Sequence, residues 1–376
     1  MTVSSSVRPA VPDRGGPRAR VAPWLTLAWS AVAVALGLGW WSGVLPRGVP
    51  EGESFGSLFS GQGLGVASGA MAVCGLAGLV CSVLLLRRGG AGGRVAEVGA
   101  WLMAVAVLTV FVDGSLLALL GYTMIVPVAG WFVPGLPSAY VSAILEPTAL
   151  TLLFCAVGVV LWAVAALVHR GVVRDACQRC GREEDWTPGE ERRVRARALR
   201  VGRWAVGVGV VLALLYPALR FLWLFGVMLD FGEQETRRML TDSSMLFTGL
   251  ALGAAGAVGA VLMLGLVQRW GVRFPRWMVG LAGRRVPVAL AVAPASLVAV
   301  ALVAMGRSTL VQLMTAMEGS TPVTEPVHAT VFLSMGAWGV ALGVATAAYA
   351  VRRRAECGEC ERGLPEADPV RTPVAG

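Results

Sequence analysis

The apolar positions along this 376-residue chain neither alternate nor mark a single helical face; they run in long continuous stretches separated by short polar segments. A membrane-spanning helix needs about 20 mostly apolar residues to cross roughly 30 Å of hydrocarbon. Eight stretches satisfy this: Trp24 to Leu45, Leu64 to Leu86, Gly99 to Ile125, Pro147 to Val168, Trp204 to Met228, Ser244 to Val267, Val286 to Met305 and Ala329 to Val351. They predict an all-α polytopic transmembrane bundle of about eight spans. Arg8, Arg14, Arg18 and Arg20 before the first stretch resemble the start of a signal peptide. The charge-free run from Val21 to Pro46 is longer than the usual apolar core of about 7 to 15 residues, so it reads as a retained first span.

The polar intervals organise these spans. With both termini in the cytosol, 27 of the 32 arginines fall inside and four outside (Arg47, Arg237, Arg238 and Arg307), while Arg220 lies within a span. Arginine enriched in the cytoplasmic loops is the positive-inside pattern. It predicts a disordered cytosolic N-terminus over residues 1–20, a first four-helix half over 21–168 and a cytosolic linker over 169–203. A second four-helix half over 204–351 and a cytosolic tail over 352–376 complete the order. Within the linker, Thr187-Pro188-Gly189-Glu190 has the form of a capping box. The Arg-rich run that follows, to Arg200, reads as a juxtamembrane helix against anionic headgroups.

The halves look like copies. Glu146-Pro147 opens the fourth span and Glu325-Pro326 precedes the eighth, each span ends in basic residues, and each is followed by a C-x-x-C pair 31 or 32 residues after its Glu. Four helices per copy place both copies in the same orientation, related by an axis along the membrane normal.

Composition narrows the partners. Hydrophobic residues make up 56% and charged residues 15% of the chain, with mean hydropathy +0.69; a soluble domain carries about 25% charge. The net charge of +9 rests entirely on arginine, for there is no lysine. Nucleic acid would require those arginines to form one basic face. They are instead dispersed between apolar runs, which indicates the lipid bilayer and anionic headgroups as partners, excludes nucleic acid, and names no protein partner.

Of the seven cysteines, Cys74, Cys81 and Cys155 lie within spans and act as small apolar residues. Cys177, Cys180, Cys357 and Cys360 form two C-x-x-C pairs, each just beyond a span returning to the cytosol. One pair offers two thiolates and a structural zinc site takes four, so the pairs together would complete a four-cysteine zinc clip between the halves. Reversible thiol-disulfide chemistry uses the same spacing, and two separate reduced pairs are the third reading.

Cys177-Gln178-Arg179-Cys180-Gly181-Arg182, with Trp186-Thr187 following and Tyr216-Pro217-Ala218-Leu219-Arg220 in the next span, resembles a group of uncharacterised multi-pass membrane proteins of high-GC actinobacteria. The likeness covers mainly residues 177–226. It implies a bacterial plasma membrane location and no particular activity, and a GC-rich coding bias accounts for the missing lysine.

Ionisable groups at span depth mark either paired structure or a pathway. Asp113, Arg220 and Arg307 are the candidates, Arg220 beside Pro217, which is expected to kink its helix. They either line an outward-facing cavity for a small, anionic solute, or Asp113 pairs with one arginine to lock helices together while Arg307 snorkels to the interface. There is no G-x-x-x-x-G-K-[ST] and no H-E-x-x-H, and His169 and His328 are the only histidines. The sequence therefore reads as a non-enzymatic structural or regulatory membrane protein with possible cytosolic zinc. A secondary transporter and a membrane thiol oxidoreductase are the alternatives.

Overall fold

The computed structural model of the protein describes residues 17–50, 55–87, 92–131, 134–177, 179–229, 232, 236–237, 243–276, 278, 280, 282–317 and 326–365. The segment 1–16, Glu325 and the tail from 366 lie outside them, so the expectations for the termini and for Glu325 are not described further. Among the described residues there are ten α-helices: α1 Pro17–Trp41, α2 Leu64–Leu86, α3 Gly92–Phe111, α4 Ser115–Ala129, α5 Leu136–Leu145, α6 Pro147–Val173, α7 Pro188–Leu222, α8 Ser243–Gly265, α9 Val288–Met317 and α10 Pro326–Arg352. Among the described residues the only bridge-like pairing is Arg273 with Arg285. All except α4 and α5 are long and apolar enough to cross a membrane, eight in total. The protein is an all-α polytopic helical bundle.

Backbone polar groups in hydrocarbon must be satisfied within their own segment, which the helix does. Lipid then accepts whatever apolar side chains face outward, as Val73, Leu102 and Val211 do at more than 60% exposure. Inward faces build two cores, one around Trp40, Met71, Leu116 and Trp162, the other around Met263, Leu302, Trp338 and Tyr349. Small residues set the close crossings. A Cβ on Gly306 of α9 would lie 2.5 Å from the Cα of Gly336 on α10, and one on Gly37 of α1 would lie 2.6 Å from the Ala72 nitrogen of α2.

In the first half α1 packs on α2 and α6, and α3 packs on α6; in the second α7 packs on α8 and α10, and α9 packs on α10. Helices α2 and α8 have 23 residues each and α6 and α10 have 27, each pair starting 179 residues apart. The last turn of α6 places His169 Nε2 3.1 Å from the Gly93 carbonyl, and that of α10 has Tyr349 Oη donating to the Gly271 carbonyl at 2.7 Å. Helix α3 has no such register with α9, and the halves meet where α9 touches α3, α4 and α6 and where α4 touches α8.

Three features differ from the sequence-based expectation. The span predicted from Gly99 to Ile125 is broken after Phe111, and Asp113 sits in the break rather than inside a helix. Asp113 Oδ1 accepts from the Ser115 N–H at 2.9 Å, while the Gly114 N–H donates to the Phe55 carbonyl and to Ser308 Oγ. A short acceptor side chain offers the backbone an alternative to the helix. The short helix α5, entered through Gly135 at φ 82° with Pro in its first turn, lies between the predicted spans. Finally, the basic segment is no separate surface helix. Thr187 caps it as predicted, accepting from the Glu190 N–H at 3.2 Å, but the helix continues as α7 for 35 residues.

Candidate metal centre

Beyond α6 and beyond α10 the chain folds twice into the same tight knuckle. In the first, the Cys177 N–H donates to the Arg182 carbonyl at 2.9 Å and the Gly181 N–H donates to the Cys177 carbonyl at 2.7 Å. In the second, Cys357 donates to Arg362 at 3.0 Å and Glu361 donates to Cys357 at 2.9 Å. Gly181 has φ 72° and its counterpart Glu361 has φ 56°. The turn requires a left-handed residue, which glycine adopts freely and glutamate does not.

The two knuckles face each other. Cys177 Sγ lies 3.9 Å from Cys357 Sγ, Cys180 Sγ lies 3.6 Å from Cys360 Sγ, and all four sulfurs fall within 4.8 Å of one another. Zinc held tetrahedrally by thiolates at about 2.3 Å separates the sulfurs by about 3.8 Å. A disulfide would need about 2.05 Å, and all four thiols are free. The donor set and spacing thus fit a tetrahedral thiophilic ion. The thiols are not equivalent. Burial opposes ionisation of Cys357, but the N–H groups of Glu359 and Cys360 and the thiols of Cys360 and Cys177 outweigh it and hold the group at about 7. Burial, reinforced by neighbouring thiols, pushes Cys360 up to about 12, and burial also raises Cys180.

A buried ionic cluster braces the knuckles from α7. Glu191, 3% exposed, accepts from Arg182 Nε at 3.0 Å and Nη2 at 2.9 Å, from Arg195 Nε at 3.2 Å and from Trp186 Nε1 at 3.1 Å. The remaining guanidinium hydrogens go to the segment after α10. Arg182 donates to the carbonyls of Arg354, Ala355 and Arg362, and Arg195 to those of Arg354, Leu364 and Pro365. A guanidinium carries five donors in a rigid fork, and here it replaces the secondary structure that this segment lacks. At the rim, Arg179 pairs with Glu359 at 3.3 Å and Arg362 Nη1 reaches the Glu183 carbonyl at 2.8 Å. Arg182 and Trp186 stand in the motif that carries the family resemblance, without a role assigned to them there, and Glu191 and Arg195 lie unmarked in the Arg-rich run. For Glu191 and Arg195 the sequence signal is their i,i+4 spacing, which on most helices is a surface pair.

The other three candidates do not share one site. Asp113 lines a cavity of about 580 Å³ on the side away from the cysteines, with Ser115, Tyr122, Tyr140, Glu146 and Thr151. Arg307 Nη2 donates to the Val112 carbonyl at 3.0 Å and to Ser308 Oγ at 3.1 Å, tying α9 to the α3 break. Arg220 is buried in the second half, 4.1 Å from the Trp223 ring centroid and 4.9 Å from that of Tyr216. Its Tyr-Pro-x-x-Arg motif packs on α8, where a Cβ on Gly253 would meet Arg220 Cβ at 2.8 Å and one on Gly256 would meet Pro217 at 3.3 Å. Neither arginine lines the Asp113 cavity. His328 stacks on Phe332 with ring centroids 4.3 Å apart.

The fold and site place the chain in a class, the multi-pass helical membrane proteins, here with a four-cysteine cluster at one end of the bundle. Nothing narrower follows from comparison: no family model, curated protein or solved structure matches it.

Proposed function

We propose that this is a non-enzymatic structural or regulatory protein of the bacterial plasma membrane, built from two copies of a four-helix unit and locked by zinc on Cys177, Cys180, Cys357 and Cys360. The observation that carries this is the convergence of four sulfurs, from segments 180 residues apart, at the spacing of a tetrahedral site. Repeated knuckles and equal spacing of α2 with α8 and of α6 with α10 support the duplication. The arginine distribution supports a cytosolic position for the clip and both termini. Zinc bound there would be structural: four protein thiolates leave no open position for substrate or water. Metal analysis of protein purified without chelator tests it, with about one zinc per chain expected. Less than about 0.2 zinc per chain, together with four reactive cytosolic thiols, overturns it.

The Asp113 cavity supports a second reading, a permease. Among the described residues its lining carries Asp113 and Glu146 and no arginine, so the solute it fits is cationic or neutral rather than anionic. Flux of small amines and sugars into proteoliposomes tests this; Asp113→Asn protein that folds and leaves every flux unchanged removes the reading.

A further inference from the structure

Helix α7 presents two different faces on the cysteine side of the bundle. Glu191 and Arg195 turn inward to the knuckles, whereas Arg193, Arg197 and Arg200 lie exposed on the opposite side with no carboxylate partner among the described residues. These three follow the 3.6-residue period into Trp204 and Val208, so one stripe of α7 changes from cationic through aromatic to apolar. Beside it, Val340 and Val344 of α10 form the second wall of an open groove of about 880 Å³, and Ala337 and Ala341 keep its floor shallow. Trp204 is 76% exposed there, Val208 51%, Val340 59% and Val344 41%.

We infer that this groove is a specific site for one anionic phospholipid, with its phosphate on Arg193, Arg197 and Arg200 and an acyl chain laid between α7 and α10. The argument is complementarity of charge and length. Three exposed guanidiniums along one stripe, with no carboxylate partner among the described residues, offer charge-assisted donors to an anion, and basic pockets between helices at the membrane surface are where anionic headgroups bind. From Arg200 to Val208 the groove descends about 12 Å along an ideal helix, close to the roughly 15 Å of one leaflet's hydrocarbon. Trp204 lies between the two, at the depth where aromatic side chains border the headgroups. Soluble phosphate satisfies only the first of these features, and a diffuse basic surface has no use for an apolar channel. The inference requires the membrane setting but not the zinc.

The test is lipid binding by delipidated protein in phosphatidylcholine nanodiscs doped with phosphatidylglycerol or cardiolipin, read by native mass spectrometry. The expected result is one retained anionic lipid per chain. The combined variant Arg193→Gln, Arg197→Gln, Arg200→Gln should weaken retention about 100-fold, from about fivefold per arginine. Val344→Trp keeps every charge and fills the channel, and should weaken retention at least about tenfold, the loss of roughly two buried methylenes' worth of contact. Folding of each variant is checked by helical circular dichroism and thermal midpoint. Three results overturn the inference: equal retention of phosphatidylcholine, displacement of the lipid by inorganic phosphate alone, or full retention by folded Val344→Trp, which would mean surface attraction without a site.

Discussion

Replacing Glu191 by Gln keeps the shape of the side chain and removes its charge. In the folded protein that charge faces Arg182 and Arg195, which are 4% and 8% exposed. Taking one partner from a buried ionic cluster costs about 3 to 5 kcal/mol, because the remaining charges lose their counter-ion. The loss falls on a definite piece of chain, since the same two guanidiniums hold the carbonyls of Arg354, Ala355, Arg362, Leu364 and Pro365. At 1.36 kcal/mol per tenfold, local opening of the segment 354–365 should become roughly 10² to 10⁴ times more populated. Amide hydrogen exchange by mass spectrometry reads this directly, with peptides from the middle of α10 as the internal control. Exchange in 354–365 within about threefold of the parent protein would refute the claim that Glu191 anchors the second knuckle. Arg182→Lys should give a smaller effect of the same kind, because an ammonium cannot serve two carboxylate oxygens and three carbonyls together.

Other outcomes follow from the same geometry. Cys180→Ser should reduce bound zinc to well below half an equivalent, measured by elemental analysis, while Cys155→Ser, buried among α6 neighbours, should leave it unchanged. Glu361→Gly should stabilise the second knuckle by about 1 kcal/mol by relieving a left-handed residue, and Gly181→Glu should weaken the first by a similar amount, both read from zinc-chelator competition. In metal-free protein one thiolate should form near pH 7, seen as ultraviolet absorbance that Cys357→Ser abolishes. The sign follows from linkage: the folded state holds Cys357 below the ordinary thiol value of about 8.5, so its stabilising contribution is present above that value and is lost as pH falls through about 7. Gly306→Leu should separate α9 from α10 and lower the thermal midpoint markedly, whereas Gly343→Leu, with only a 4.0 Å contact from its Cβ position, should be milder.

The membrane architecture was legible in the sequence because a spanning helix is specified by length and apolarity alone. The break at Asp113 was not, since it depends on Ser308 and Phe55 arriving from distant segments to receive the Gly114 N–H. The cysteine pairs were readable as ligands, and their repeated spacing suggested that they meet. The brace behind them was hidden, because Glu191 and Arg195 have the spacing of a solvent-exposed pair and only the returning tail buries them. Arg220 stands out in the sequence as a charge out of place; its partners include aromatic rings whose approach depends on the glycines of α8.

The seam between the two halves is joined at both ends. The knuckles face one another at one end, and Arg307 with Ser308 grips the α3 break at the other, about 28 Å along an ideal helix from the start of α3. A carrier that works by alternating access must let its halves rock apart on each face of the membrane in turn. If metal occupies the clip, the cysteine face would be latched, and the halves could part only on the side where hydrogen bonds hold them. Rocking would then require the metal to leave, which would make the occupancy of four sulfurs the mechanical state of the whole bundle.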